Sequence, residues 1–201
     1  MAHLFVIALV KKKDRRRIEK AVSSLLAPYD EQLEVPEHEE DCYCVGRASE
    51  RKAYEAARAK FGTNQSREAE EFAFRSFSSD PDRSAPEHGC SSCAGTGKRR
   101  TTLNPNGRLD WWSFGGRWDG AAQDDFSKVT PTTISHTNRL EGNMTTPQFL
   151  IDHDITPAAI VTPDGKWHEE ERWKNWEWPD TAKSILSKNL EALAVGLDCH
   201  A

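Results

Sequence analysis

The segment His3-Leu-Phe-Val-Ile-Ala-Leu-Val10, with the charged stretch Arg15–Leu26 that follows it, decides the fold class of this chain. A nearly continuous apolar run with β-branched residues is typical of a strand that is buried on both faces of a sheet. In Arg15–Leu26 the apolar side chains recur at helical spacing, and Pro28 ends the pattern. A central strand followed by an amphipathic helix predicts a layered protein of helices and strands.

The C-terminal part of the chain predicts the remaining elements of this layer. Ala158–Thr162 and Lys166–His168 flank a Pro-Asp-Gly turn and together predict a β-hairpin. A helix is expected from Asp180 or Thr181 to about Leu190, and a closing strand over Leu193–Leu197. We therefore expect an α+β fold with a mostly antiparallel sheet and helices on one face, an order that a ferredoxin-like arrangement satisfies.

The middle of the chain, about residues 40–150, is predicted as a long irregular insertion into a single domain spanning 1–201. Of the 201 residues, 37% are hydrophobic and 29% charged, which suffices for one core with long polar connections. Helices are expected over Ser49–Phe61 and Glu68–Phe77, and the acidic segment Tyr29–Glu40 is expected to be a solvated loop. Ala121–Pro147 is polar and predicts a lid, a linker or a covering loop.

The overall charge and the lack of long apolar runs narrow the protein class. A net charge of −5 disfavours adhesion to nucleic acid through overall charge, although it leaves a local basic patch open. No apolar run approaches the roughly 18 residues of a membrane span. Lys11–Lys13 follow the opening apolar run, whereas a signal peptide has its basic residues before that run. We therefore expect a cytoplasmic protein that does not contact a membrane.

Four of the five cysteines form two close pairs, Cys42-Tyr-Cys44 and Cys90-Ser-Ser-Cys93. In a reducing compartment such pairs indicate metal binding before disulfides. The second pair belongs to the motif Cys-x-x-Cys-x-Gly-Thr-Gly, whose glycines allow a tight turn in which amide N–H groups point at the sulfurs. We predict that Cys42, Cys44, Cys90 and Cys93 are the ligands of a structural zinc ion that stabilises the insertion.

Two features of the cysteines leave alternatives open. The single residue between Cys42 and Cys44 is a shorter spacer than the usual two to four. Other residues therefore remain as substitute ligands for that pair: His38, His88, Cys199 and His200. Ordinary buried thiols and a redox pair are the alternatives to zinc.

The second unusual segment, here called the tryptophan block, is Asp110-Trp-Trp-Ser-Phe-Gly-Gly-Arg-Trp-Asp-Gly120. In a structural interpretation, strand alternation buries Trp112 and Phe114, and Arg117 pairs with Asp110 or Asp119.

In a functional interpretation, the same block binds a ligand. The two glycines would let a ligand approach the backbone, Arg117 would bind a phosphate or carboxylate, and an aspartate would act in acid–base chemistry. The predicted ligand-binding residues are Asp110, Trp112, Arg117, Trp118 and Asp119. Lys98-Arg99-Arg100, just upstream, would add attraction for anions. His153 and His168, each flanked by carboxylates, are weaker candidates for a base or a metal ligand.

The order of these motifs resembles a family of uncharacterised proteins from phages and bacterial genomes. The resemblance is carried by Cys-x-x-Cys-x-Gly-Thr-Gly from Cys90, Thr-x-Asn-Pro from Thr102, and Asp-Trp-Trp-x-x-Gly-Gly-Arg-Trp-x-Gly from Asp110. Leu26–Glu31 and the ending Asp198-Cys-His200 are similar as well. The resemblance implies a phage or mobile-element context, in which small proteins often bind host machinery.

Three classes of function follow from these patterns. The leading hypothesis is a zinc-stabilised binding protein that contacts a host protein or a nucleic acid through the Trp, Arg and Gly-Gly residues of the block. The alternative is an enzyme for a phosphate-bearing or nucleotide substrate, with Arg117 as anion clamp and Asp119 or Asp110 as general base. The third is an accessory protein without a small-molecule site. The sequence contains no P-loop, Rossmann glycine pattern, Gly-x-Ser-x-Gly or His-Glu-x-x-His motif.

Overall fold

The structure is a computed structural model, and it describes residues 3–121, 140, 142–170 and 175–200. The chain forms two compact units. The sheet unit comprises Met1–Glu34, Leu103–Glu171 and Glu177–Ala201, and the cysteine unit comprises Val35–Thr102 and Arg172–Trp176. Within the described ranges, no helix is long and apolar enough to cross a membrane.

The regular elements are numbered in chain order. The strands are β1 His3–Lys11, β2 His38–Asp41, β3 Lys98–Thr101, β4 Trp111–Phe114, β5 Met144–Thr145, β6 Ala159–Val161, β7 Trp167–Glu169 and β8 Ala192–His200. The α-helices are α1 Ile18–Leu26, α2 Arg47–Phe61, α3 Arg67–Ser79, α4 Pro147–Asp152 and α5 Trp178–Ser187. Short 3₁₀ helices lie at Lys12–Arg17, Ala27–Tyr29, Gly116–Trp118 and Asn175–Glu177.

The sheet unit is built on a mixed six-stranded sheet with β1 near its centre. Its strand order is β4-β8-β1-β6-β7, and β5 also pairs with β8. β1 is antiparallel to β8 along its whole length, from His3 opposite His200 to Lys11 opposite Ala192, and is parallel to β6. The other pairings in this sheet are antiparallel. The predicted α+β class with a mostly antiparallel sheet is confirmed.

Helices cover both faces of this sheet, rather than the single face expected from the sequence. Val6, Ala8 and Val10 pack in one buried cluster with residues of α1. Phe5, Ile7 and Leu9 face the other way and pack with residues of α4 and α5. Because β1 has apolar side chains at successive positions, both of its faces require a covering layer.

The strand order also differs from the ferredoxin-like arrangement considered above. The predicted hairpin is present as β6 and β7, but its first strand, β6, lies beside β1, whereas the second strand takes that place in a ferredoxin-like sheet. The burial of the two strands explains this choice. Ala159–Val161 is fully buried, whereas Trp167–Glu169 is half-buried to exposed, so only β6 suits an interior position.

Two elements end at different residues from those expected. The last helix stops at Ser187 rather than near Leu190. The closing strand continues past Leu197 to His200, and Asp198 and His200 are buried within it. Alternating apolarity does not predict this extension, because both residues are polar and find partners only in the folded sheet.

The cysteine unit has a small apolar interior. Helices α2 and α3 pack through four buried alanines, Ala53, Ala57, Ala69 and Ala73. Its other buried hydrophobic residues within the described ranges are three cysteines. The unit overlaps the predicted insertion only from residue 40 to Thr102, since the described residues from Leu103 onwards belong to the sheet unit. Most of the polar segment Ala121–Pro147 lies outside the described residues.

Candidate metal centre and the tryptophan block

The four paired cysteines come together in the cysteine unit. Sγ of Cys42 lies 3.7 Å from Sγ of Cys90, and Sγ of Cys44 lies 3.5 Å from Sγ of Cys93. All four sulfur atoms lie within 4.8 Å of one another. A tetrahedral zinc ion with Zn–S bonds of about 2.3 Å separates its sulfurs by about 3.8 Å, whereas a disulfide bond is about 2.05 Å long. The cluster is therefore compatible with a structural zinc site.

A tight turn brings the first pair together despite its one-residue spacer. The backbone N–H of Val45 donates to the carbonyl of Cys42 over 2.9 Å, so the chain reverses immediately after Cys42. The amide N–H of Cys44 also donates to the sulfur of Cys42. The N–H of Cys42 donates to the carbonyl of Gly97 over 2.8 Å, which connects this turn to the segment of the second pair.

The second pair lies on a knuckle of the kind that the glycines predict. The N–H of Ala94 donates to the carbonyl of Cys90 over 2.8 Å, and that of Thr96 donates to the carbonyl of Cys93 over 2.9 Å. These turns direct further amides at the sulfurs. Cys90 accepts from the N–H groups of Ser92 and Cys93, and Cys93 accepts from those of Gly97 and Gly95.

The pKa values of the two cysteine pairs shift in opposite directions. The N–H groups of Ser92 and then Cys93, acting against burial, lower the pKa of Cys90 to about 6. Burial opposes the same effect at Cys93, but the N–H of Gly97 and hydrogen bonds from the Cys44 thiol and Gly95 still lower its pKa.

The pKa values of the other pair, Cys42 and Cys44, are raised. Burial raises the pKa of Cys44 to about 12. The N–H of Cys44 favours the thiolate of Cys42, but burial and the neighbouring sulfurs raise the pKa of Cys42 above its usual value. Four thiolates this close repel one another, and a divalent cation would relieve that repulsion by replacing the protons of Cys42 and Cys44.

The substitute ligands considered from the sequence lie elsewhere. Cys199 is buried in the core of the sheet unit, where burial raises the pKa of its thiol. Nδ1 of His200 contacts Asp110, and Nδ1 of His38 contacts the carbonyl of Pro36. His88 is exposed and does not belong to the cluster.

The basic triplet Lys98-Arg99-Arg100 forms β3 and pairs with the acidic strand β2. Lys98 Nζ lies 2.6 Å from Asp41, and Arg99 binds Glu40 through two nitrogens at 2.5 and 2.7 Å. Arg100 lies 3.3 Å from Glu37. The hydrogen bond and the charge of Asp41 raise the pKa of Lys98. The end of the predicted acidic loop Tyr29–Glu40 is thus part of a strand, because these cationic partners neutralise it.

The tryptophan block begins as the strand β4, which pairs with β8. Trp112 and Phe114 lie on the same face, with ring centroids 5.2 Å apart, and both pack in the first core cluster. Trp118 packs against the cluster on the opposite face, with its ring 5.8 Å from that of Phe5. The alternation expected for Trp112 and Phe114 is therefore observed.

The charged residues of the block have partners other than those expected. Asp110 contacts Nδ1 of His200 at 2.7 Å, and Asp119 accepts a hydrogen bond of 2.6 Å from the side-chain amide of Asn143. Among the described residues, the side chain of Arg117 is not paired with either aspartate, and its backbone N–H donates to Asp198 over 2.9 Å. Ligand binding by these residues remains a prediction.

Gly116 allows the block to approach Asp198 closely. Its backbone has φ +52°, and a Cβ atom placed there would lie 2.4 Å from the Asp198 carboxylate. The buried carboxylate uses its other oxygen to contact Nδ1 of His3 at 2.9 Å. The glycine therefore creates space for a protein carboxylate.

Sequence reasoning missed the residues that organise this region, namely His3, Asn143 and Asp198. The spacing of Asp198 and His200, two residues apart at the end of an apolar strand, would place both on one face if the strand were extended. No local pattern indicates that His3 faces His200, because that contact depends on the register of two distant strands.

Comparisons of the chain with family models, with curated proteins and with solved structures find no match.

The cysteine cluster predicts about one zinc ion per chain in protein purified without added metal. We expect Cys44→Ser to lose most of this zinc, because the serine oxygen is a poor replacement for a buried thiolate ligand. Cys199→Ala is the control, since it removes a buried thiol that lies outside the cluster. Elemental analysis together with circular dichroism would measure zinc content and folding, and equal zinc content in both variants would contradict the assignment.

The close approach of Gly116 to Asp198 predicts that Gly116→Ala strongly destabilises the sheet unit. Gly165→Ala is a matched control, because Gly165 has φ +85° but no atom within 4 Å of an added Cβ. Adopting positive φ costs an alanine about 1–2 kcal/mol, so we expect the control to lose that amount and Gly116→Ala to lose more. Urea unfolding would compare the two, and equal losses would show that the close approach is unimportant.

Proposed function

We propose that this protein is a zinc-stabilised binding protein that contacts a protein partner through the exposed edge of the tryptophan block. Zinc bound by Cys42, Cys44, Cys90 and Cys93 would fold the cysteine unit. The sheet unit would supply the surface that binds the partner. The single observation that carries this proposal is the convergence of four cysteine sulfurs within 4.8 Å of one another.

The size of the buried side chains supports a structural role for the metal. The fully buried apolar side chains of the cysteine unit are alanines and cysteines within the described ranges, and each buried methyl group contributes only about 0.8 kcal/mol. Structural zinc sites have apparent binding free energies of about 10–16 kcal/mol at neutral pH. Metal binding would therefore dominate the folding free energy of this unit, as in other small domains that lack a large core.

Near the tryptophan block in the sequence, charge supports a protein partner over a nucleic acid. The basic run just upstream of the block, Lys98-Arg99-Arg100, is paired with acidic side chains of the segment Glu37–Asp41, and the whole chain has a net charge of −5. Phosphate binding depends on cations that are free to replace counterions. Trp111, at the edge strand β4, is 43% exposed, and tryptophan is enriched at the centres of protein interfaces.

One observation favours the enzyme alternative. Nε of Arg117 is buried and has no hydrogen-bond partner among the described residues, which leaves its side chain as a candidate anion clamp. The candidate bases are less favourable, because Asp110 and Asp119 already accept hydrogen bonds within the protein. The phage or mobile-element context remains a prediction from the sequence resemblance.

Removal of zinc should unfold the cysteine unit and spare the sheet. With a strong chelator, we expect amides in the range 35–102 to lose most of their protection from hydrogen exchange, whereas amides of β1 and β8 keep theirs. Exchange followed by mass spectrometry on the full chain would locate the change. Unchanged protection across 35–102 after complete zinc removal would contradict a structural role for the metal.

Trp111 should be a hot spot for the partner. We expect Trp111→Ala to reduce recovery of a specific partner by about tenfold or more, because truncation of a central interface tryptophan commonly costs 2 kcal/mol or more. Leu190→Ala is the control, because Leu190 is equally exposed at 43% but lies outside the block. Quantitative affinity purification with the unmodified protein, Trp111→Ala and Leu190→Ala as baits would test this. A partner recovered equally with Trp111→Ala would bind elsewhere.

A further inference from the structure

Two histidines, at the first residue of β1 and the last residue of β8, are each held by a carboxylate. Nδ1 of His3 lies 2.9 Å from Oδ1 of Asp198, and Nδ1 of His200 lies 2.7 Å from Oδ1 of Asp110. The two imidazole rings contact each other edge to face, with centroids 5.1 Å apart. Trp111 stacks on His200, with centroids 5.6 Å apart and an angle of 15° between the ring planes.

The carboxylates fix which nitrogen of each ring is available. An ionised carboxylate only accepts hydrogen bonds, so Nδ1 must carry the proton in both rings. Nε2 of each neutral ring then presents its lone pair. Neither Nε2 has a hydrogen-bond partner in the part of the chain that the structure describes. The His3 and His200 side chains keep 17% and 11% of their surface exposed.

The strand register places the two rings for joint coordination. His3 and His200 are directly opposite each other on neighbouring antiparallel strands, and their side chains therefore lie on the same face. Two imidazoles bound to one ion through M–N bonds of about 2.0–2.1 Å have centroids roughly 4.5–5.2 Å apart for bond angles between 90° and 110°. The observed 5.1 Å falls in this range.

The tryptophan block supplies the residues that orient this pair. Asp110 and Trp111 contact His200, and the N–H of Arg117 holds the second oxygen of Asp198. Gly116 leaves the space that Asp198 occupies. A carboxylate on the protonated nitrogen of each imidazole is the usual outer shell of histidine metal ligands. The most unusual segment of the sequence thus converges on two histidines near opposite ends of the chain.

We propose that His3 and His200 form a second metal site, distinct from the cysteine cluster, for a divalent transition ion such as Cu²⁺, Ni²⁺ or Zn²⁺. Imidazole nitrogens favour these ions over Mg²⁺ and Ca²⁺, which prefer oxygen. Asp110 and Asp198 are positioning residues that fix the tautomer of each ligand. Among the described residues, the cysteines form the one group of three or more ligating side chains. Two imidazoles fill two coordination positions of such an ion, and water or a donor atom of an incoming molecule would fill others.

Copper binding to zinc-loaded protein tests this site without involving the cysteines. One equivalent of Cu²⁺ is added to the full chain. The chain carries an N-terminal extension, because a terminal amine close to His3 could otherwise chelate copper. We expect an electron paramagnetic resonance spectrum with coupling to two imidazole nitrogens, while zinc remains at one ion per chain. His200→Gln should remove one nitrogen from the spectrum and weaken copper binding by at least about tenfold.

Matched variants separate coordination from folding. His153→Gln should leave the spectrum unchanged, because Nδ1 of His153 contacts the carbonyl of Phe149 on the exposed side of α4. Asp110→Asn keeps both ligands and should weaken copper binding by about 10–100-fold, the usual effect of losing an orienting carboxylate. Circular dichroism and zinc content would confirm that each variant is folded. The proposal is overturned if the wild-type spectrum has fewer than two coupled nitrogens, if His200→Gln leaves it unchanged, or if copper binds to thiolates instead.

Discussion

Nine consecutive residue pairs join β1 to β8, and the rest of the sheet unit depends on this ladder. Both strands are buried along nearly their whole length, and each requires a covering layer on both faces. A shift of the pairing by one residue would turn every side chain of one strand to the opposite face. The observed register places His200 opposite His3. The polar cluster at this end of the sheet therefore depends on the pairing of β1 with β8.

The cysteine unit is stabilised by different means. Its helices meet through alanines, which allow close approach but bury little apolar surface. Its other interior group is a set of four sulfurs, and burial and mutual repulsion oppose a negative charge on all four of them without a cation. The amides of the knuckle favour thiolates at Cys90 and Cys93, and the thiolate is the form in which cysteine binds metals. The same chain thus contains one unit organised by apolar burial and one organised by charge.

The sequence predicts the parts of this structure that have local causes. Continuous apolarity predicts β1, the Pro-Asp-Gly turn predicts the β6–β7 hairpin, and the paired cysteines predict one cluster. Long-range pairing has no such local cause. Burial of β6, rather than of β7, decides the strand order, and the cationic strand β3 converts an acidic segment into its partner. The roles of the block residues depend on contacts with Asp198 and Asn143, whose positions follow only from the completed sheet.

The ribbon of β2 and β3 has a consequence for how this chain could have arisen. The longer of the two segments of the cysteine unit begins at Val35 and ends at Thr102, and these two residues are joined by a backbone hydrogen bond of 3.1 Å. A segment whose two ends are neighbours is a cassette: a short loop between the flanking residues would replace it without stretching the chain. The β1–β8 ladder and the histidine pair would be inherited through such a deletion, whereas the four-cysteine cluster would be gained or lost as one piece. Evolution could therefore exchange the segment that contains the four cysteines in a single event while the sheet continued to diverge by point substitution.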